Sequence, residues 1–251
     1  MSDIDLTEDI AVVTGGASGI GRKISLTLAE QGADVVVADL RSEPREGGKP
    51  THERIDSEFD GTGRYVECDV TEPSDLETAV DAAEALGGIT VMVNNAGISR
   101  SRDFLDITEQ QYEQMMDINA KGTFFGSQAA ANRMIDAGRE GSIVNIASIS
   151  GVTGRATGVH YCASKGAVRL MTYAMAAALG PHDIRANAVC PGLVESPMTR
   201  QDLEMFGEEA GAIDTYERTA PLQRVGQPQD IADAVLYLAS PLSGFVTGES
   251  I

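Results

Sequence analysis

Residues 10–21 have the sequence IAVVTGGASGIG, and this stretch decides the fold. An apolar run, Ile10–Val13, ends in a glycine-rich turn, Thr14–Gly21, and a helical pattern of apolar residues follows from Ile20 to about Gln31. Because the turn connects a strand to the start of a helix, its backbone can approach a phosphate and the helix N-terminus can face negative charge. The stretch therefore predicts the first half of a βαβ unit that binds a dinucleotide.

The second strand of this unit, Val35–Ala38, ends at Asp39. A carboxylate at this point can accept hydrogen bonds from both hydroxyl groups of an adenosine ribose, and it would repel a 2′-phosphate. Asp39 therefore predicts NAD as the cofactor and makes NADP the less favoured one. Arg22 and Arg41 are nearby cations that would soften this preference, although a solvent-facing side chain is the more common role for such arginines.

Strand and helix patterns alternate along the rest of the chain. Strands are expected at Tyr65–Glu67, Thr90–Val93, Ser142–Ala147 and Ala186–Val189, and helices at Pro73–Leu86, Thr108–Gly126 continuing toward Arg133, Tyr161–Leu179 and Ile231–Leu238. This alternation is typical of the α/β class and predicts a Rossmann-like, doubly wound parallel sheet between two layers of helices. With 251 residues and no break in composition, the chain is expected to form a single domain over residues 1–251.

Two stretches interrupt the alternation. Arg41–Gly63 is rich in proline and glycine and is predicted to be an irregular surface loop. Gly192–Arg224 contains Pro197, Pro221 and several methionine and acidic residues, and it follows a strand end where open α/β sheets bind ligands. We interpret it as a mobile flap over the substrate, with a purely structural pair of short surface helices as the alternative.

The composition is strongly acidic. Asp and Glu number 38 against 19 Lys and Arg, giving a net charge of −19, and the lysines occur only at positions 23, 49, 121 and 165. Such a charge disfavours nucleic acid as a partner, because the polyanion would be repelled. The excess of acid is either a solvated surface that favours solubility or an adaptation to high salt, and the scarcity of lysine favours the halophilic interpretation.

Cysteine and histidine spacing predicts neither disulfides nor a metal site. The three cysteines form no C-x-x-C pair, and His52 and His182 are expected in loops without the spacing of metal ligands. The N-terminal residues are acidic rather than a basic and apolar leader, and no apolar run approaches the length of a membrane span. A protein of the cytoplasm, without membrane attachment, is expected.

A second group of residues predicts proton-transfer chemistry. Tyr161 and Lys165 are four residues apart in a helical pattern, so the ammonium can lie near the phenol. A phenol with the ordinary pKa of about 10 is a poor base at neutral pH, and a neighbouring cation favours the phenolate. Ser148 follows a strand at its carboxyl end, where its hydroxyl can hold a substrate oxygen. The structural alternative is a half-buried tyrosine, a surface lysine and a helix-capping serine.

With these motifs the chain resembles the short-chain dehydrogenase/reductase family. The family's T-G-x-x-x-G-x-G turn matches Thr14–Gly21, its N-N-A-G segment matches Asn94–Gly97, and its Tyr-x-x-x-Lys pair matches Tyr161 and Lys165. The upstream serine, helical asparagine and Pro-Gly of the family correspond to Ser148, Asn119 and Pro191-Gly192. The resemblance runs from about Ile10 to the C-terminus. Relatives usually continue through a final short strand to a V-D-G-G segment, so a trimmed tail after Ile251 is expected.

The resemblance implies a set of site residues. Tyr161 is the general base and acid, assisted by Lys165, Ser148 and Asn119, with Asn119 supporting a water chain from Lys165 to solvent. Many relatives have a threonine after the Pro-Gly pair that contacts the cofactor. This sequence has Glu195-Ser196-Pro197 there instead, and Ser196 can donate a hydrogen bond in a similar way. The implied cofactor contacts are Gly15, Ser18, Gly19, Ile20, Gly21, Asp39, Leu40, Asp69, Val70, Asn95, Ala96, Gly97, Tyr161, Lys165, Pro191, Gly192, Val194 and Ser196.

The resemblance further implies an NAD-dependent oxidoreductase that interconverts a secondary alcohol and a ketone, and a homotetramer built on long helices including the one with Tyr161. A sugar or sugar acid is the expected substrate, with Ser150, Arg100, Arg102 and His160 near the predicted mouth of the site. Those arginines can equally belong to a solvated loop. The alternatives are a 3-oxoacyl thioester reductase and a non-catalytic dinucleotide sensor, and the presence of both Tyr161 and Lys165 argues against the sensor.

Overall fold

Six parallel strands form one sheet in the computed structural model, which describes residues 4–199 and 220–251. The strands are β1 (Ile10–Thr14), β2 (Asp34–Asp39), β3 (Gly63–Glu67), β4 (Val91–Asn94), β5 (Gly141–Ile146) and β6 (Ile184–Val189). Their order across the sheet is β3-β2-β1-β4-β5-β6, so the direction of winding reverses between β1 and β4. In sheets of this kind the reversal opens a crevice at the carboxyl ends of the strands.

Helices cover both faces of the sheet. They are α1 (Gly19–Glu30), α2 (Thr51–Glu58), α3 (Pro73–Glu84), α4 (Glu109–Met116), α5 (Gly122–Asp136), α6 (Val159–Leu179) and α7 (Pro228–Ala239). Successive strand residues point to opposite faces. Val13 therefore packs in a core with Ile24 of α1 and Val235 of α7, whereas Val12 packs in a second core with Val80 of α3 and Met134 of α5. The predicted doubly wound, three-layer α/β fold is confirmed.

The long helix predicted from Thr108 toward Arg133 is interrupted where Asn119 lies. Between α4 and α5, Asp117–Lys121 forms a π-helical turn in which the Gly122 N–H donates to the Asp117 carbonyl. A capping box at Thr108 starts the helix: the Thr108 side chain accepts from Gln111 N–H, and the Gln111 side chain accepts from Thr108 N–H. Single π turns inside helices occur frequently at functional sites.

Three predictions about Arg41–Gly63 and its surroundings were wrong. The segment contains the helix α2, and His52 therefore lies in a helix rather than a loop. Arg22 is also not a solvent-facing residue, because it is 92% buried: its guanidinium donates to Thr51 Oγ1 and to the Lys49 carbonyl, both at 2.8 Å. A buried arginine of α1 thus anchors the start of α2, which local glycine and proline content could not reveal.

The described C-terminal residues extend the sheet edge beyond β6. Ala188 N–H donates to the Glu249 carbonyl at 2.8 Å, and Ile251 N–H donates to the Ala188 carbonyl at 3.0 Å. Within the predicted flap Gly192–Arg224, residues 200–219 lie outside the described part of the chain. No helix in residues 4–199 and 220–251 is long and apolar enough to span a membrane.

Candidate active site

A cleft of about 1210 Å³ runs along the carboxyl ends of the strands. Its volume exceeds the roughly 300–1,000 Å³ of a typical small-ligand pocket, so it has room for a dinucleotide together with a small substrate. Except for Asn119, every site residue predicted from the sequence lines this cleft: Gly15, Ser18, Gly19, Ile20, Gly21, Asp39, Leu40, Asp69, Val70, Asn95, Ala96, Gly97, Ser148, Tyr161, Lys165, Pro191, Gly192, Val194 and Ser196.

The glycine-rich turn is locked against the end of β4. A Cβ on Gly21 would collide with the Gly15 carbonyl oxygen and with Asn95 Nδ2. Asn95 Nδ2 donates to the carbonyls of Thr14, at 2.9 Å, and Gly15, at 3.3 Å. Gly15 has a φ of +65°, a conformation that favours glycine. Asn95 thus holds the turn in shape, and the absence of side chains lets the backbones approach closely.

Thr14 makes a contact that the sequence analysis did not anticipate. Its hydroxyl accepts the backbone N–H groups of Asn95 and Ala96, at 3.0 and 3.1 Å, and its own proton points to the Val93 carbonyl at 3.4 Å. The buried threonine therefore joins the end of β1 to the residues after β4. Thr14 is the first residue of the glycine-rich motif, and this was the signal that could have identified it. Its partners, Asn95 and Ala96, could not be predicted without knowing that β4 lies next to β1.

A carboxylate of the protein itself is hydrogen-bonded to the N-terminus of α1. Glu46 Oε1 accepts the Gly19 N–H at 2.9 Å, and Ser18 Oγ accepts the Arg45 N–H at 2.9 Å. Glu46 is exposed and lies on the loop before α2. A helix N-terminus favours such anions, so the turn fits the phosphates of a dinucleotide. A phosphate that used the Gly19 N–H would displace the Glu46 carboxylate.

Asp39 lies beside the same turn at the end of β2. Its Oδ2 accepts the Ala17 N–H at 3.1 Å. A carboxylate has room for about four hydrogen bonds, so Asp39 can support the turn and still accept ribose hydroxyls. Farther along the cleft, Asp69 Oδ1 accepts the N–H and the hydroxyl of Thr71, which orders the loop between β3 and α3.

Asn119 lies beneath the cleft rather than on its wall. Its side chain is fully buried, and Nδ2 donates to Ser164 Oγ at 3.0 Å. Ser164, which the sequence analysis did not single out, donates in turn to the Tyr161 carbonyl at 2.8 Å. The π turn is thereby connected to the first turn of α6, where Tyr161 lies.

Lys165 is a buried cation. Its Nζ donates to the Ile146 carbonyl at the end of β5, at 2.7 Å, and only 5% of the residue is exposed. Burial lowers the pKa of the ammonium to about 8, against a smaller opposing effect of the Cys190 thiol. Lysine keeps a positive charge at neutral pH at this pKa, and it releases its proton more easily than a surface lysine.

Ser148 and Tyr161 line the same cleft as Lys165. Ser148 lies just beyond β5, where its Oγ accepts the Ser150 N–H at 3.1 Å. Tyr161 has the Arg155 guanidinium over its ring, with Cζ 4.8 Å from the ring centroid. Arg155 was not among the residues selected from the sequence. Together Ser148, Tyr161 and Lys165 can hold an oxygen of a ligand and exchange a proton with it.

Ser196 lines the cleft and is hydrogen-bonded to Thr199. Ser196 Oγ accepts the Thr199 N–H at 3.2 Å, and the two hydroxyls are 3.0 Å apart. Of the four residues expected near the mouth, Ser150 lines the cleft, whereas Arg100, Arg102 and His160 do not. His160 is buried, and burial together with the Arg155 charge lowers its pKa. Within residues 4–199 and 220–251, no cluster of three or more His, Cys, Asp or Glu side chains could hold a metal ion.

Comparisons with known proteins agree with this geometry. The family model described as enoyl-(acyl carrier protein) reductase matches residues 15–251. L-rhamnose 1-dehydrogenase (NAD(P)+) of Azotobacter vinelandii is 37% identical over 98% of this chain and 95% of that protein. (3R)-3-hydroxyacyl-CoA dehydrogenase of Rattus norvegicus is 36% identical over 100% of this chain and 96% of that protein.

A solved structure has the same architecture. The crystal structure of a short-chain type dehydrogenase/reductase from Mycobacterium marinum superposes with a TM-score of 0.88, at 36% identity, covering 98% of this chain and 94% of that one. A dinucleotide-type cleft with a Tyr-x-x-x-Lys pair and relatives that are named dehydrogenases define an oxidoreductase acting on CH–OH groups. The chain belongs to the short-chain dehydrogenase/reductase family.

Proposed function

We propose that this protein interconverts a secondary alcohol and a ketone in a sugar or sugar acid, with NAD as its cofactor. One observation carries the proposal: Tyr161, Lys165 and Ser148 line the same cleft as the glycine-rich turn and Asp39. The proton-transfer groups and the dinucleotide contacts therefore face a common volume, as hydride transfer between cofactor and substrate requires.

In alcohol oxidation, the Ser148 hydroxyl holds the substrate oxygen and Tyr161 Oη accepts the hydroxyl proton. A bound nicotinamide cofactor would supply the hydride acceptor for the substrate carbon that carries this hydroxyl. Lys165, whose ammonium is fixed by the Ile146 carbonyl, favours the phenolate form of Tyr161. Asn119 positions the π turn and the start of α6 through Ser164. In ketone reduction Tyr161 returns the proton.

Asp39 supports the choice of NAD. Its carboxylate lies at the end of β2 beside the turn, in the position from which it can accept ribose hydroxyl groups. A 2′-phosphate would meet its negative charge. Arg22, the nearby cation of α1, is engaged by Thr51 and Lys49 and is therefore less free to neutralise that phosphate.

A 3-oxoacyl thioester reductase is the second candidate. It is favoured by the (3R)-3-hydroxyacyl-CoA dehydrogenase relative and by the description of the matching family model. The sugar substrate is favoured by the L-rhamnose dehydrogenase relative and by a cleft whose polar lining includes Ser99, Ser101 and Gln114.

A homotetramer adapted to high salt completes the proposal. Leu170 of α6 and Phe124 of α5 expose 69% and 43% of their surface, which supports contacts between subunits on these helices.

The net charge of −19 supports stabilisation by salt, since screening weakens self-repulsion. Light scattering and thermal unfolding at low and high KCl test these two points; a monomer, or stability independent of salt, would contradict them.

Initial rates test the activity. Sugars, sugar acids and 3-oxoacyl thioesters are offered with NAD(H) and with NADP(H), at low and high salt. We expect oxidation of a sugar or sugar acid with NAD. Turnover restricted to thioesters would favour the second candidate, and tight NAD binding without turnover of any substrate would contradict an oxidoreductase that acts on these compounds.

A further inference from the structure

An arginine that the mechanism does not use lies against the reacting tyrosine. The Arg155 guanidinium stacks over the Tyr161 ring at 4.8 Å from its centroid, and Nη2 lies 3.4 Å from Ser99 Oγ. Arg155 lines the cleft and is exposed to it. A group bound by this guanidinium would therefore lie beside the ring of Tyr161.

The backbone holds Arg155 in this position. Residues 147–158 connect the end of β5 to α6, and Thr157 forms an antiparallel bridge with Asp103. The Gly158 N–H donates to the Arg102 carbonyl at 2.8 Å. Gly158 has a φ of +78°, and a Cβ there would lie 3.2 Å from Arg155 Nη2. The glycine thus both permits the turn and leaves space for the guanidinium.

The surrounding charges leave Arg155 available to an anion. Among the described residues that line the cleft, the other cations are Arg45, beside the turn at Ser18, and Lys165, whose Nζ is buried. Arg155 forms no ion pair with any carboxylate in the described part of the chain. The adjacent His160 is buried, which favours its neutral form.

We propose that Arg155 binds a carboxylate of the substrate, so that the protein acts on hydroxy acids such as sugar acids in preference to neutral sugars. This inference rests on the proposed function, because it narrows the substrate class at the same site. A guanidinium offers two parallel N–H donors that match the two oxygens of a carboxylate. In a chain with a net charge of −19, a local cation is also needed to offset the repulsion of an anionic substrate.

Matched pairs of substrates test the inference. Each pair differs by a carboxylate: gluconate against sorbitol, galacturonate against galactose, and 3-hydroxybutanoate against butane-1,3-diol. For the pair that is turned over best, we expect the acid to have the higher kcat/KM. Arg155→Gln should raise KM for the acid by about 10- to 100-fold, the effect of losing charge-assisted hydrogen bonds, and should change KM for the neutral partner much less, so that the preference for the acid is lost. Arg155→Lys should restore part of the loss.

Arg102→Gln is the matched control, because Arg102 is an exposed arginine of the neighbouring loop that does not line the cleft. It should leave both members of each pair unaffected. If the neutral member of every pair is preferred, the inference is overturned. It is also overturned if Arg155→Gln lowers kcat equally for acid and neutral substrates and shifts the pH profile, since Arg155 would then act on Tyr161.

A binding measurement separates this inference from the proposed function. The NAD-loaded Tyr161→Phe protein keeps the aromatic ring and is titrated by calorimetry with both members of each pair, gluconate and sorbitol among them. Tighter binding of gluconate that is lost with a second change, Arg155→Gln, supports the inference even if no sugar is turned over by the unaltered protein. Equal or absent binding of the acids in all three pairs overturns it, whatever the enzyme oxidises.

Discussion

Asn119 pairs with both backbone groups of Ile98: its Oδ1 accepts the Ile98 N–H at 2.8 Å, and its Nδ2 donates to the Ile98 carbonyl at 3.0 Å. The side-chain amide thus makes the same two hydrogen bonds that a backbone residue of a neighbouring strand would make. These bonds fix the segment after β4 to the π turn. Because Nδ2 also donates to Ser164 Oγ, the same side chain fixes the helix that carries Tyr161. A hydrogen-bonding role thereby explains why an asparagine lies inside a helix, where its intrinsic propensity is poor.

Asn119→Leu should therefore destabilise the fold. The substitution leaves the partly buried N–H and carbonyl of Ile98 without their partners, and we expect the free energy of unfolding to fall by about 2–4 kcal/mol. Urea denaturation measures this change. Asn132→Leu, at an exposed position of α5, is the control and should change stability by less than about 0.5 kcal/mol. Equal effects of the two substitutions would refute the pairing role.

The fold was predictable wherever hydrophobic pattern decided it. The apolar runs of β1 and β2 are buried on both faces, and such runs in alternation with helical patterns are typical of a parallel sheet covered on both faces. The helix α2 was missed for a physical reason: it is held by Arg22, more than 25 positions away in sequence, and by burial of Ile55 in the core. Contacts of this kind exist only after the chain has folded. The glycine and proline content therefore predicted a loop where the structure has a helix.

The motif residues were predictable as a group that lines one cleft, but the hydrogen bonds among their neighbours were not. The predicted residues other than Asn119 line the cleft, whereas Thr14, Ser164 and Arg155 were not selected. Serine, threonine and arginine are common residues, and nothing in their local spacing distinguishes a buried hydrogen-bonding role from a surface one. Asn95 and Asn119, the partners of Thr14 and Ser164, are 81 and 45 positions away in sequence, so the topology brings these contacts together, whereas the stacking of Arg155 on Tyr161 depends on the loop that precedes α6.

Tyr161→Phe should abolish turnover and leave cofactor binding intact. The substitution removes the only atom of this side chain that can exchange a proton, and loss of a general acid or base lowers kcat by about 10²–10⁴-fold. Stopped-flow rates and NAD titration measure the two properties. Tyr173→Phe is the matched control on the same helix, where the hydroxyl pairs with Ser250 Oγ at 2.9 Å. Substantial activity in Tyr161→Phe would overturn the proton-transfer assignment.

Asp39→Ala should relax the choice between NAD and NADP. The substitution removes the negative charge that would repel a 2′-phosphate, and it also removes the acceptor of the Ala17 N–H. Asp39→Asn separates these effects, because an amide oxygen can still accept that N–H while the charge is gone. We expect both variants to raise kcat/KM with NADP relative to NAD. An unchanged ratio in both would contradict the account of cofactor specificity.

Lys165→Met should stabilise the protein at neutral pH. Burial lowers the pKa of Lys165 from 10.5 to about 8, so between these values the unfolded chain binds more protons and native stability rises with pH. Below pH 8 the whole cost of the buried charge is present, about 3 kcal/mol. The gain from Lys165→Met should therefore be largest at pH 7 and shrink toward pH 10.5.

Urea denaturation at pH 7 and at pH 10.5 measures this difference. Lys121→Met, at an exposed position, is the control and should show no comparable dependence on pH. Turnover of Lys165→Met should be lost although the protein is more stable, because the cation beside Tyr161 is gone. A variant that is less stable at pH 7 would show that the bond to Ile146 outweighs the cost of burial.

Gly21→Ala should disrupt the dinucleotide end of the cleft. Its Cβ would collide with the Gly15 carbonyl and with Asn95 Nδ2, and neither can move without breaking the hydrogen bonds between Asn95 and the turn. We expect a large loss of NAD affinity together with lower thermal stability. Gly180→Ala is the matched control, because a Cβ there meets nothing within 4 Å and the backbone is already helical. It should be tolerated, and normal NAD binding by Gly21→Ala would mean that the turn adapts to a side chain.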